Sequence, residues 1–205
     1  IYEKKKPNLE EIKELIQKIK DEKIYGMNVT VPYKQEVIKY LDSLSPLAKK
    51  TNSVNTIFKK DGKIYGDNTD VTGFELSIYD LKINLENRTA IIFGAGGVVP
   101  SIVVALQNLG LREVNITNRT SDKVKVIKSN FPKVNEIKWG DLGNYDIYVN
   151  ATSVGLKKED DLNLDITNLE KGKLFYDVIY NPPMTNFLEK AKNCGHQILN
   201  GQKMF

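Results

Sequence analysis

A chain of 205 residues with 40% hydrophobic residues has the material for one large or two small soluble domains. Its net charge of +4 arises from 30 basic and 26 acidic residues spread along the whole length. That is too diffuse to argue for nucleic acid, and Lys4-Lys5-Lys6 reads as a solvated face. No apolar run reaches the roughly 18–20 residues of a membrane span, no signal peptide is recognisable, and the single Cys194 excludes an internal disulfide, so a cytoplasmic protein with an inert thiol is expected.

The chain opens on Ile1 rather than Met and passes almost at once into a helical stripe of Leu9, Ile12, Leu15, Ile16 and Ile19. It reads as a fragment or a processed form. A strand is expected from Met27 to Val31, in which Asn28 and Thr30 alternate with Val29 and Val31. Pro32 ends that strand, and a helix is expected from Lys34 to about Ser43, with Val37, Ile38 and Leu41 on one face. Lys34 then falls near a helix N-terminus, where the macrodipole disfavours a cation. A lysine so placed, beside the short polar side chains of Asn28 and Thr30, suggests a site; a surface lysine in a lysine-rich chain is the competing reading. Ser45-Pro46 opens a further short helix, Ser53 to Phe58 is strand-like, and Asp61-Gly62 is a hairpin turn leading back through Lys63 to Gly66. Asp67 to Asp70 breaks the pattern, and a helix bearing Phe74, Ile78 and Leu81 follows.

From about residue 85 strands alternate with helices: Thr89 to Phe93, the helix Val98 to Leu109, Glu113 to Thr117, a helix N-capped by Ser121, then strands Tyr145 to Asn150 and Leu174 to Tyr180, the helix Asn186 to Asn193, and the strand His196 to Leu199. Such alternation argues for an α/β fold with a parallel sheet covered by helices on both faces. Phe93-Gly94-Ala95-Gly96-Gly97 lies where a strand hands over to a helix, the place where glycines let a backbone approach a pyrophosphate. Val99 stands where the usual fingerprint has a third glycine, and Pro100 is tolerated in the first helical turn. A purely structural glycine turn stays open on these residues alone.

An NAD site places Asp or Glu about 20 residues beyond the glycines. Here the position carries Asn118-Arg119-Thr120, and the planar fork of Arg119 suits a 2′-phosphate, so NADP is expected rather than NAD. Two more loops follow strand C-termini, Asn150-Ala151-Thr152-Ser153-Val154-Gly155 and Tyr180-Asn181-Pro182-Pro183. Ordinary turn chemistry explains either loop taken alone.

Taken in order, these segments resemble the shikimate dehydrogenase family. The resemblance rests on Asn28 to Lys34, Ser53 to Ile57, Gly66 to Asp70, the glycine turn, Asn118 to Thr120, Asn150 to Ser153 and Asn200-Gly201. It implies reversible reduction of 3-dehydroshikimate to shikimate with NADPH, in aromatic amino-acid biosynthesis. It also implies two α/β domains with a cleft between them: an N-terminally incomplete substrate domain over residues 1–70, a connecting helix over 71–84, a Rossmann-type NADP domain over 85–201, and the start of a return at 202–205. Lys34 and Asp70 match the family's acid/base pair, and Asn28, Thr30, Asn55 and Tyr180 its substrate contacts. Gly94, Ala95, Gly96, Gly97, Asn118, Arg119, Thr120, Thr152, Ser153, Val178 and Gly201 match its cofactor contacts. His196, the only histidine, lies outside these motifs and is expected to be structural. No metal, nucleic acid or membrane is expected, and a homodimer stays open.

Two family features have no counterpart: a serine pair that binds the substrate carboxylate in an N-terminal strand, and a glutamine beyond the closing Gly-x-x-Met. The expectation for these 205 residues is therefore NADP binding with weak shikimate binding and negligible turnover. A quinate/shikimate dehydrogenase would keep the same Lys and Asp but often uses NAD, against which Arg119 speaks. A non-catalytic NADP-binding protein would need neither Lys34 nor Asp70.

Overall fold

The computed structural model describes residues 2–205, and the chain divides into two compact units, Ile1–Thr69 and Asp70–Phe205. The first begins with α1 (Leu9–Lys20), opened by a reciprocal cap in which Asn8 Oδ1 accepts the Glu11 N–H (3.0 Å) and the Glu11 carboxylate accepts the Asn8 N–H (2.7 Å). Its Ile12, Ile16 and Ile19 are buried, the i, i+4, i+7 stripe of a helix lying on a sheet. That sheet comprises β1 (Gly26–Asn28), β2 (Ser43–Leu44), β3 (Thr56–Lys60) and β4 (Lys63–Asp67), in the order β1-β3-β4-β2. β3 and β4 form a hairpin whose corner, Asp61-Gly62, has φ of 51° and 75°, the left-handed pair that a two-residue turn of this hand requires. The short helix α2 (Pro46–Thr51) starts at Ser45, whose hydroxyl accepts the Ala48 N–H at 3.0 Å.

Three expectations are corrected here. β1 stops at Asn28 instead of running to Val31: the Val29 N–H still reaches the Asn55 carbonyl (2.8 Å), but the chain then turns, with Tyr33 N–H on the Thr30 carbonyl and a cis Val31–Pro32 peptide. The helix expected from Lys34 to Ser43 is a five-residue 3₁₀ turn, Glu36–Tyr40. It cannot lengthen because the sheet claims its exit: Asp42 N–H bonds the Ile64 carbonyl (2.9 Å) while the Asp42 carboxylate accepts the Ile64 N–H (2.8 Å). Lys34 therefore precedes a five-residue 3₁₀ turn and does not stand at the N-terminus of an α-helix. Strand character begins at Thr56 rather than Ser53, since the amides of Ser53 and Val54 are spent on the carbonyls of Ala48 and Lys34.

The second unit opens with α3 (Asp70–Tyr79) and then alternates: β5 (Thr89–Phe93), α4 (Val99–Asn108), β6 (Glu113–Thr117), α5 (Ser121–Asn130), β7 (Asn135–Ile137), β8 (Ile147–Asn150), β9 (Leu174–Asp177), α6 (Asn186–Asn193) and β10 (Gln197–Asn200), closing on a 3₁₀ turn, Gly201–Met204. All six strands are parallel, in the order β10-β9-β8-β5-β6-β7. Right-handed crossovers that run outward from β5 to β7 and then back through β8 to β10 place their connections on opposite faces, which is the doubly wound arrangement. β5, β8 and β9 are buried at every position, as strands covered on both sides must be.

β9 stops at Asp177 instead of running to Tyr180, because the Ile179 N–H turns back onto the Asp177 carboxylate at 2.9 Å. β7 is a short edge strand that sequence periodicity did not indicate. The β8–β9 crossover carries no helix; instead Leu162 and Ile166 pack with Tyr148, Phe175 and Phe187 on the face shared with α6. Its acidic residues explain this, because Asp161 and Asp165 accept the backbone N–H groups of Asn163 and Thr167, bonds that compete with a helix. Ser121 is also the first helical residue of α5 rather than its cap; the cap is Thr120, and the Ser121 hydroxyl donates to Glu136. No helix among the described residues is long and apolar enough to cross a membrane.

His196 is 7% exposed, stacks on Phe175 at 4.9 Å between centroids, and has no hydrogen bond to either ring nitrogen among the described residues. Burial first, and Lys173 second, hold its pKa below the ordinary value near 6.5. The folded chain thus binds this proton less readily than the unfolded chain. Its contribution to stability is complete above about pH 6.5 and falls as the pH drops below, by at most about 1.4 kcal/mol per pH unit. In urea unfolding at pH 7.5 and 5.5, His196→Phe, which keeps the ring stack, should remove this part of the decline. An unchanged decline in the variant would show that the buried imidazole is protonated in both states.

Candidate active site

In the first unit, three segments meet at the ends of β1 and β3. The Asn28 amide donates to Thr56 Oγ1 (3.3 Å) and to the Asn55 carbonyl (3.5 Å), and the Lys34 carbonyl accepts the Val54 N–H at 2.8 Å. The structure thus brings Asn28, Lys34 and Asn55 into one neighbourhood, with Lys34 8% exposed. Lys34 is the one lysine among the described residues in the buried class. Thr30 lies on the exposed turn that follows β1.

Asn55 does more than line this region. Its Oδ1 accepts the Thr69 N–H (3.0 Å) and its Nδ2 donates to Thr69 Oγ1 (2.9 Å), while Asn68 Nδ2 reaches Thr51 Oγ1 (3.1 Å) and the Ser53 carbonyl (3.0 Å). Both amides clamp the segment that delivers Asp70. Asp70 is 2% exposed and opens α3, where the helix N-terminus favours a carboxylate.

In the second unit the strands end in register. Asn200, Asp177, Asn150, Phe93, Thr117 and Ile137 are lateral neighbours across the sheet, so the loops that follow all leave from one edge. Gly94, Ala95, Gly96 and Gly97 turn between β5 and α4. Gly94 has φ of 111°, and a Cβ there would stand 3.0 Å from the Ala151 carbonyl oxygen, so glycine is required by both conformation and space. Gly96 is exposed, and its nearest neighbour to such a Cβ is that same oxygen at 3.9 Å. A ligand can therefore approach the backbone closely there. Beyond β6, Asn118 Nδ2 holds the Thr120 carbonyl (2.9 Å), the Thr120 side chain makes no capping bond, and Arg119 is exposed.

The loop after β8 is shaped from within. Thr152 donates its hydroxyl to Asn150 Oδ1 (2.7 Å) and accepts the Val154 N–H (3.0 Å), so that hydroxyl is engaged in building the loop, while Ser153 is exposed. After β9, Val178 N–H bonds the Asn150 carbonyl (3.0 Å), and Gly201 lies against Val178 so closely that a Cβ would collide with its carbonyl. Tyr180 is exposed, its ring 5.5 Å from that of Phe205. Sequence reasoning missed Asp177 and Thr185, which join these two loops; a lone Asp at the end of an apolar run was the available signal.

A family model described as shikimate dehydrogenase substrate binding domain matches residues 1–57, and one described as shikimate / quinate 5-dehydrogenase matches residues 77–157. The chain is 48% identical over 204 residues to a shikimate dehydrogenase (NADP(+)) of Pelagibacter ubique (strain HTCC1062), covering 100% of this chain and 77% of that protein. The solved shikimate dehydrogenase from Aquifex aeolicus matches with a TM-score of 0.86 at 35% identity, over 97% of this chain and 74% of its own. A shikimate 5-dehydrogenase from Thermus thermophilus, solved in complex with NADP(H) and shikimate, matches with a TM-score of 0.86 at 29% identity, over 97% of this chain and 74% of its own. With both halves matched by family models and nearly half of all positions identical to a curated relative, this chain belongs to the shikimate dehydrogenase family.

Proposed function

We infer that the chain interconverts 3-dehydroshikimate and shikimate, with NADPH as the reductant. The observation that carries this reading is the burial of Lys34 in a chain whose other lysines are half-buried or exposed. Lysine is almost never buried unless its charge is paired, and an acid/base partner is one way to meet that need. NADPH supplies the hydride. The residues that fit it are the glycine turn, where orphaned N–H groups of a helix start meet open backbone, and Arg119, whose fork suits the 2′-phosphate.

Reducing a ketone also requires a proton at the oxygen that becomes the hydroxyl. Lys34 and Asp70 supply it as an acid/base pair: one group donates to the carbonyl oxygen as hydride reaches the carbon, and the pair recovers its proton from solvent. Asn28, Thr30 and Asn55 hold the substrate's hydroxyl groups, and the family resemblance assigns Tyr180 a further substrate contact. The discriminating experiment is turnover of shikimate and of quinate, each with NADP and with NAD. Shikimate with NADP should be the preferred pair, at the low rate expected of these 205 residues without the serine pair; preference for quinate and NAD would favour the other branch of the superfamily, and failure to bind NADP would overturn the reading.

Three sets of variants test the assignment. Lys34→Ala should lower kcat by about 100- to 10,000-fold with cofactor affinity nearly unchanged, and Asp70→Asn should behave alike. A double variant no slower than either single would show that the two act as a unit, whereas near-normal kcat in Lys34→Ala removes it from the chemistry. Arg119→Ala should weaken NADP by about 1.5–3 kcal/mol and leave NAD unaffected; equal losses would place Arg119 at the shared pyrophosphate or in folding.

The glycines separate folding from binding. Gly94→Ala must strain the backbone and press on Ala151, and should cost about 1–3 kcal/mol, seen as a Tm lower by several degrees. Gly96→Ala has room and should keep the wild-type Tm while weakening NADP. Equal melting of the two variants would contradict the role of Gly94.

A further inference from the structure

Asp177 ends β9 with a fully buried carboxylate whose hydrogen-bond partners are all neutral donors. Asn150 Nδ2 lies 3.1 Å from both oxygens, the Ile179 N–H 2.9 Å from Oδ1, and Thr185 Oγ1 2.6 Å from Oδ2. The orientation of the Asn150 amide is set at its other end, where Oδ1 accepts the Thr152 N–H at 3.0 Å and the Thr152 hydroxyl at 2.7 Å. Its Nδ2 also reaches the Val154 carbonyl at 3.0 Å. Donor and acceptor directions therefore run unbroken from the Asp177 carboxylate into the loop after β8. On the other side Thr185 accepts the Leu188 N–H (3.4 Å) and opens α6. One carboxylate thus fixes the course of both loops.

Strand order says what those loops face. In a doubly wound sheet the ligand lies beyond the carboxyl ends, across the point where the order reverses, here between β5 and β8. The glycine turn after β5 marks the pyrophosphate, and Arg119 after β6 marks the adenosine 2′-phosphate on one side. The other half of the dinucleotide must extend the opposite way, over the loops that follow β8 and β9. Ala151 abuts Gly94, so the glycine turn and the first of these loops form one continuous surface.

We propose that Asp177 is a positioning residue for the nicotinamide half of the NADP site, acting through Asn150 and Thr185 and taking no part in the chemistry. This rests on the NADP reading above. Asp177→Asn would set an amide donor against the Asn150 amide donor; if Asn150 turned over to relieve this, its own donor would face the Thr152 N–H. Thr185→Val removes one donor at nearly constant shape, and Thr185→Ser keeps it.

Calorimetry with NADP⁺ and with adenosine 2′,5′-bisphosphate, which carries only the Arg119 half, decides the matter. Asp177→Asn and Thr185→Val should weaken NADP⁺ by about ten- to a hundredfold and leave the bisphosphate unchanged, with Thr185→Ser close to wild type. If Asp177→Asn does not fold, Thr185→Val and Thr185→Ser carry the test. Parallel loss of both ligands would overturn the proposal in favour of general structural support, as would unaltered NADP⁺ binding in variants of a wild type that binds it. A wild type that binds neither ligand would overturn the cofactor reading itself, and the proposal with it.

Discussion

The handedness of the strand connections is the constraint on which the second unit depends. A right-twisted strand feeding a helix returns to the sheet with one hand only, so a chain that starts in the middle at β5 and builds outward twice must place its connections on alternate faces. The reversal leaves a crevice above β5 and β8. Because all six strands end in one lateral row, every loop that could touch a ligand leaves from the same edge. Glycines, an arginine and small polar residues separated by up to 107 positions, from Gly94 to Gly201, thereby share one edge of the sheet.

That edge is also where the buried sheet takes in polar groups. Along β5 the side chains are apolar after Thr89, and Ile91 and Phe93 join Tyr148, Phe175 and Phe187 in the core on the α6 side. At the row of strand ends this gives way to Asn150 and Asp177, both fully buried. A buried polar group is destabilising unless it is hydrogen-bonded, and here the bonds run to loop groups and between the two side chains themselves. The cost of burying Asp177 is visible in its carboxyl pKa, which desolvation raises against the pull of its donors. The first unit uses the same device more modestly. Asn55 and Asn68 lock the backbone of residues 68 and 69, so the loop leading to Asp70 is fixed by side-chain amides rather than by strand pairing.

Much of this was legible in the residues because the responsible physics is local. β5, β6 and α6 have the expected bounds, since each is a short periodic run closed by turn residues on both sides. Asp61-Gly62 needs only its own two backbone conformations to make a hairpin, and the glycine turn needs only its strand and helix. What was not legible depends on partners distant in sequence. β7 is three residues long and exists because β6 offers an edge. β2 is two residues long and pairs with β4, and that pairing, anchored by Asp42, is what stops the helix expected after Lys34. Asp177 shows in the sequence only as a lone Asp at the end of an apolar run, since its meaning comes from Asn150 and Thr185, neither of them near it on the same element.

Lys34 stands out in the sequence and in the structure for two different reasons. An unfavourable helix dipole drew attention to it in the sequence, but a five-residue 3₁₀ turn has few aligned peptide groups, and Lys34 lies outside it. Burial provides a stronger reason. An exposed cation against a helix end loses a few tenths of a kcal/mol, whereas withdrawing an ammonium from water costs several unless partners replace the solvent. Lysine is rarely buried unless its charge is satisfied, so its burial near Asn28 and Asn55 is what the proposed acid/base role rests on.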